Sequence, residues 1–280
     1  MNLANKTVVM TGAGNGIGRE IALEFGRRGG RVIVSDRDGD AAASVADAIG
    51  AEGGEAAALS CDVTKDEDIA RLKQAAERYG PVDVLMNHVG AASSGIAVEI
   101  PLEDWRWVYD VNVLSVVRAL KQFLPDMMAR GSGLIINTSS SLGLFPEMPV
   151  ALPYIACKAG IIAMSEALAL QCQHAGVRVM TLAPDITDTG FVMSQRTTGM
   201  TIEDMAGSVP MTMMQPPKAV SDALFLAIDE GRFLATNVAN FEELLQDRAT
   251  ARLEPRLRAY HQLGPAIAAS AEALASLAIL

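Results

Sequence analysis

Thr7-Val8-Val9-Met10-Thr11-Gly12-Ala13-Gly14-Asn15-Gly16-Ile17-Gly18 carries a short apolar run straight into a glycine-rich turn. Residues 7–10 read as a buried strand, and residues 17–28 place Ile17, Ile21, Ala22 and Phe25 at helical spacing. Strand, glycine turn and helix in that order form a phosphate cradle. Glycines let the backbone turn tightly and approach a pyrophosphate, whose charge rests on the helix N-terminus. Gly12, Asn15, Gly16, Ile17 and Gly18 are therefore candidate cofactor contacts. The bland alternative is a plain tight turn; the flanking strand and helix argue against it.

Outward from that unit, residues 31–35 form a second strand ending on Asp36. An acid about twenty residues past the glycines can accept hydrogen bonds from ribose hydroxyls, and its charge repels a 2′-phosphate. NAD is favoured over NADP, with Arg37 as the one neighbour able to reach a 2′-phosphate. Residues 38–50 read as an Ala-rich helix and 55–60 as a third strand, which Cys61-Asp62-Val63 leaves at its carboxyl end. Asp62 and Val63 are candidate adenine contacts, although Asp62 fits a cap for the helix over 66–79 equally well. A fourth strand, 82–86, ends in Asn87-His88-Val89-Gly90, where Asn87 and Gly90 are cofactor candidates. Residues 102–130 read as one long helical stretch holding Asn112, with Pro125 as a point where it can kink. A fifth strand, 134–136, ends in Thr138-Ser139-Ser140-Ser141; a helix and a sixth strand, 178–182, follow. Six alternations of strand and helix specify a single α/β domain of Rossmann type, a doubly wound parallel sheet with helices on both faces.

The apolar helix Leu152–Cys172 contains Tyr154-Ile155-Ala156-Cys157-Lys158. Four residues apart, the phenol and the ammonium share one helix face. A free phenol titrates near pH 10; a cation beside it is expected to lower that value toward use as an acid/base. Alone, a Tyr and a Lys at this spacing are common by chance.

Taken together, Thr11-Gly12-x-x-x-Gly16-x-Gly18, Asn87-His88-Val89-Gly90, Asn112, the serines at 139–141 and Tyr154-x-x-x-Lys158 resemble the short-chain dehydrogenase/reductase family. The likeness runs from Lys6 to about Thr189. It implies that Tyr154 is the acid/base, that Lys158 lowers its pKa and binds the nicotinamide ribose, and that Asn112 holds a relay water. It implies a Ser holding the substrate oxygen. Counting from Gly143 gives Ser140, counting back from Tyr154 gives Ser141, and Ser140 is preferred because the strand end fixes it. Pro184 and Thr189 fall at cofactor-contacting positions. The implied activity is hydride transfer between NAD and a fairly apolar secondary alcohol or ketone, in a homodimer or homotetramer built on the helices carrying Asn112 and Tyr154. Two departures stand out: His88-Val89 where the family has Asn-Ala, and Asp185 where it has Gly.

Residues 190–217 lack a clear period and contain six methionines, which suits a mobile lid over an apolar ligand. Residues 218–229 return to helix, 233–236 suit a seventh strand, and 242–280 read as a C-terminal helical extension with an apolar stripe at Ile267, Leu274 and Leu277. A net charge of -10 argues against a nucleic-acid partner. Cys61, Cys157 and Cys172 lack metal spacing and read as buried, reduced thiols, which suits the cytoplasm. No stretch is expected to span a membrane or to act as a signal peptide. Two other readings keep the fold: a non-catalytic dinucleotide-binding regulator or scaffold, which has no need of the Tyr–Lys pair, and an extended-branch epimerase or dehydratase, which the glycine spacing disfavours.

Overall fold

The computed structural model describes residues 1–148, 150–201 and 214–249. Its centre is a seven-stranded sheet in the order β3-β2-β1-β4-β6-β7-β9, parallel throughout. The strands are β1 (Thr7–Thr11), β2 (Arg31–Asp36), β3 (Glu55–Ser60), β4 (Val82–Asn87), β6 (Gly133–Thr138), β7 (Val177–Ala183) and β9 (Leu234–Thr236). Helices α1 (Gly16–Arg27), α2 (Gly39–Ala51) and the helix Pro217–Glu230 supply one covering layer; α3 (Asp66–Glu77), α5 (Ser115–Arg130) and α7 (Leu152–Cys172) supply the other. Strands buried on both faces explain the unbroken apolar runs: Val8, Met10, Val32 and Val34 pack toward α1, Val9, Ile33 and Leu85 toward α3 and α5. The order reverses between β1 and β4, so the carboxyl ends of these strands open a crevice there.

Three features differ from the sequence reading. The stretch 102–130 is not one regular helix: α4 (Leu102–Tyr109) passes through a π-helical turn, Asp110–Leu114, into α5. That wider turn leaves backbone carbonyls to side chains. Asn112 Nδ2 donates to Val108 O at 2.7 Å, and Ser115 Oγ to Val111 O at 2.6 Å. A second sheet pairs β5 (Ser93–Gly95) with β8 (Arg196–Thr198), two strands too short and polar to show a period-2 pattern. Finally, Leu152–Ala175 is long and apolar enough to cross a membrane by length and composition, contrary to expectation, because Lys158 and Glu166 are its only full charges. It packs along β7 with a third of its apolar window buried. The three cysteines are free and buried, as expected. Met205, Met211, Met213 and the stripe at Ile267, Leu274 and Leu277 lie outside the described residues.

Candidate active site

The glycine turn is shaped for a ligand backbone. Gly12 (φ 68°) and Gly16 (φ 52°) occupy the left-handed region that side chains avoid. A Cβ on Gly18 would collide with the Gly12 carbonyl oxygen, and one on Gly12 would sit 3.0 Å from both Val89 Cγ2 and Val89 N. Val89, bulkier than the family's Ala, is thus accommodated against a bare glycine. Asn15 caps α1 in extended conformation without spending its side chain on the helix. The first N–H groups of α1 lack a side-chain acceptor, as an anion site requires. This cradle fits a dinucleotide pyrophosphate. Ile17 is half-buried and packs on the core beneath.

Asp36 leaves β2 with one carboxylate oxygen accepting from Gly14 N at 3.0 Å and the other from Asp38 N at 3.1 Å. Its side chain therefore faces the glycine turn, and Arg37 is exposed. Asp62 does not cap α3, which starts beyond Lys65. Asp62 Oδ1 accepts from Thr64 N (3.0 Å) and Thr64 Oγ1 (2.7 Å), an Asx turn. Burial alone would raise this carboxyl; the two Thr64 bonds and nearby Lys65 and Arg37 bring it below its ordinary value. Val63 is buried beside it. Asn87 turns its side chain into the sheet, donating to Asn137 Oδ1 at 2.8 Å, and Asn137 Nδ2 donates to Ser165 Oγ at 3.0 Å. Its amide is spent on joining β4, β6 and α7.

Across the crevice, Tyr154, Lys158, Asn112, Ser140 and Gly90 converge. Lys158 is 2% exposed, and its ammonium donates to Thr138 O at 2.8 Å and lies 5.5 Å from the Tyr154 ring centroid. A Cβ on Gly90 would stand 3.3 Å from Asn112 Oδ1 and 3.5 Å from Lys158 Nζ, so the bare glycine lets these groups share one space. Asn112 Nδ2 also donates to Ala91 O at 2.7 Å. Ser140 N-caps the short helix α6 (Ser141–Leu144), its Oγ accepting from Leu142 N at 3.2 Å, and it is hydrogen-bonded to Tyr154. Ser141 points its backbone N–H to Pro184 O at 2.8 Å instead. Ser139 Oγ donates to Lys158 O at 2.7 Å, tying the serine strand end to α7.

The protonation energetics reverse one expectation. Burial pushes Tyr154 up to about 12, against the Ser140 bond that lowers it, and burial pushes Lys158 down to about 8. Both groups are driven toward neutrality, since desolvation penalises phenolate and ammonium alike. Lys158 does not overcome this for Tyr154.

Several participants carried no local signal. Phe191 stacks obliquely on Tyr154, ring centroids 5.5 Å apart, and its edge also approaches Gly90. His88 contacts Thr138 Oγ1 through Nδ1 at 3.0 Å and donates its backbone N–H to Thr11 Oγ1 at 3.2 Å. Burial, reinforced by the Lys158 charge, holds His88 down at about 4. Thr138 carries the one signal legible in the sequence, its place at a strand's carboxyl end. Thr189 packs its methyl against Gly16, bringing the segment after β7 onto the glycine turn. Asp185, in place of the family's Gly, has no left-handed backbone to strain. Its N–H donates to Asn237 Oδ1 at 2.9 Å, and Asn237 Nδ2 donates to Gln215 Oε1 at 2.9 Å. Residues 191–198 are strapped down by Arg196, which pairs with Asp104 at 2.7 Å and lies 3.9 Å over Trp107.

Residues 6–199 match the family model described as short chain dehydrogenase. The chain belongs to the short-chain dehydrogenase/reductase family. A cyclohexanol dehydrogenase of Acinetobacter sp. (strain SE19) is 31% identical, covering 82% of this chain and 90% of the relative. A 3-oxoacyl-(acyl-carrier-protein) reductase FabG of Staphylococcus epidermidis is 29% identical over 82% of this chain and 94% of its own. The crystal structure of a short-chain dehydrogenase/reductase from Burkholderia phymatum in complex with NAD superposes with TM-score 0.78 at 26% identity, covering 90% of this chain and 97% of that one. As a short-chain dehydrogenase/reductase, the chain belongs to an oxidoreductase family, on the Rossmann-type fold that its sheet order shows.

Proposed function

We propose that the protein transfers hydride between NAD(H) and a fairly apolar secondary alcohol or ketone. The observation that carries this reading is the convergence of Asn112 and Lys158 on Gly90, with Tyr154 beside Lys158 and Ser140 beside Tyr154, at the carboxyl ends of β4 and β6. Gly12, Asn15, Gly16, Ile17, Gly18, Asp62, Val63, Asn87, Gly90, Tyr154, Pro184 and Thr189 would hold the dinucleotide, with Asp36 on the adenosine ribose and Lys158 on the nicotinamide ribose. The dinucleotide supplies the hydride chemistry when bound. Asp36 already faces the glycine turn, which favours NAD; a higher catalytic efficiency with NADP would refute that preference.

In this reading the substrate oxygen lies between the hydroxyls of Ser140 and Tyr154. A Tyr154 held near 12 is neutral at pH 7 and ready to donate its proton to a ketone oxygen. In the oxidative direction Tyr154 takes the alcohol proton only as its own phenolic proton leaves, and neutral Lys158, which forms above about 8, is the group of the pair able to receive it. Alcohol oxidation should therefore rise with pH through about 8, and reduction should not. Phe191, beside Tyr154, presents an apolar wall to the substrate. The cyclohexanol dehydrogenase likeness makes cyclic secondary alcohols the first choice of substrate.

Residues 190–217 serve here as the substrate lid and 242–280 as a C-terminal extension of the one domain. The exposed Leu170 (72%) on α7 and Tyr109, Leu114 and Val117 along α4–α5 support burial against a second copy of the chain. Free cysteines agree with the cytoplasm. The test is reduced-nicotinamide absorbance with NAD and a panel of cyclic and linear secondary alcohols. Formation of NADH that Tyr154→Phe abolishes is expected; turnover that survives this change would sink the reading.

A further inference from the structure

Helix Phe241–Ala249 follows the last strand, far in sequence from the crevice, yet it closes on the turn that carries Ser140. Arg248 Nη1 donates to Gly143 O at 3.2 Å and also to Leu144 O. Phe241 meets Phe145 edge to face, centroids 5.9 Å apart at 73°, and Phe241 and Leu244 pack on the cluster of Leu144, Phe145 and Ala183. The helix being gripped, α6, is a single turn of four residues. One turn has little stability of its own, and the carbonyls at its end lack intrahelical partners. A guanidinium at that end satisfies two of them and complements the helix dipole.

We propose that Arg248 is a positioning residue for Ser140, an inference that rests on the role given to Ser140 above. The mechanical path is short. Ser140 is the N-cap of α6, and Arg248 holds the other end of the same turn. In between, Gly143 is wedged so close to α7 that a Cβ there would lie 2.7 Å from the Lys158 carbonyl carbon and 2.8 Å from its oxygen. Ser139 Oγ grips the same Lys158 carbonyl. With α7 as a fixed floor, the freedom left to α6 is to slide or unwind at its C-terminal end, where Arg248 supplies the hydrogen bonds and Phe241 the apolar contact that hold it. Helix Phe241–Ala249 thus supports the serine hydroxyl without touching the substrate.

The test uses the full chain with Arg248→Ala, Arg248→Lys and Ser140→Ala. Hydrogen exchange followed by mass spectrometry needs no substrate: in Arg248→Ala the amides of residues 141–145 should exchange about tenfold faster, the loss expected from removing charged hydrogen bonds. The kcat with cyclohexanol, or with the best alcohol of the panel, should fall about tenfold. Affinity for NADH by fluorescence and the melting temperature should stay unchanged, and Arg248→Lys should recover most of both losses. Unchanged exchange in residues 141–145, or a kcat loss that only follows a loss of NADH affinity or of melting temperature, overturns the proposal. If Ser140→Ala turns over normally, the serine role falls and this inference with it. If Ser140→Ala is inactive while Arg248→Ala behaves as wild type, this inference alone falls.

Discussion

The crevice wall made by residues 11–18 closes on itself within one strand–turn–helix unit, whereas the opposite wall, from Pro184 to Gly199, is held by partners far away in the chain. The first is almost all backbone, left-handed glycines and uncommitted helix N–H groups, with the Asp36 carboxylate on Gly14 N as its one side-chain tie. The second depends on side chains crossing long separations, Arg196 to Asp104 over 92 residues and Ser94 to Gln195 over 101. A wall of backbone can hold a ligand common to many proteins, because its hydrogen bonds do not depend on side-chain identity. A wall of side chains can change with substrate while the sheet stays the same.

The largest expected effect lies where the walls meet. Tyr154→Phe should lower turnover by about 10²–10⁴ while leaving NADH binding intact, since only the proton-transferring hydroxyl is lost. Binding lost together with turnover would mean that the two walls are not separable. Next, Gly18→Ala drives a methyl into the Gly12 carbonyl and should cost about 1–3 kcal/mol of stability along with NADH affinity, measured by thermal melting and fluorescence titration. If alanine is tolerated there, the backbone wall is less closely built than its contacts indicate.

His88 ties the first wall, at Thr11, to the end of β6 at Thr138, and it probes that wall through pH. Its value near 4 lies below that of an unfolded histidine, so the neutral ring stabilises the fold fully above about 6.5, and this contribution is lost as pH falls toward 4. The amount is on the order of 3 kcal/mol. His88→Asn should flatten the fall in stability between those pH values, as read from urea unfolding at each pH; an unaltered slope would show that the ring is not the group responsible. The smallest effect is that of Arg196→Ala. A half-exposed ion pair is worth about 1 kcal/mol or less. A modest drop in melting temperature is expected with a raised KM for alcohol and unchanged NADH affinity. A change in NADH affinity instead would erase the division between the walls.

Much of this was readable from local pattern. The run Thr7–Thr11 into Gly12-x-x-x-Gly16-x-Gly18 announces strand, turn and helix because glycine tolerance and apolar periodicity are properties of neighbouring residues. The same holds for Leu152–Cys172, whose bounds agree with the apolar run. The π-turn around Asn112, the β5–β8 pair and the grip of Arg248 on α6 were not readable, because each depends on a partner brought up by the fold. Nor was the bond from the Asn87 amide to Asn137 readable, since it is register that sets the two opposite each other.

The sequence by itself determined the alternation of elements, the glycine turn, an acid at the end of β2 and the helix that aligns Tyr154 with Lys158, all of which follow from spacing along a single chain segment. Only the tertiary structure decided which serine meets Tyr154, what covers that ring and which way its acidity moves. Those outcomes depend on burial and on contacts between distant segments. Spacing can place an ammonium beside a phenol, but only packing determines how much water either one retains.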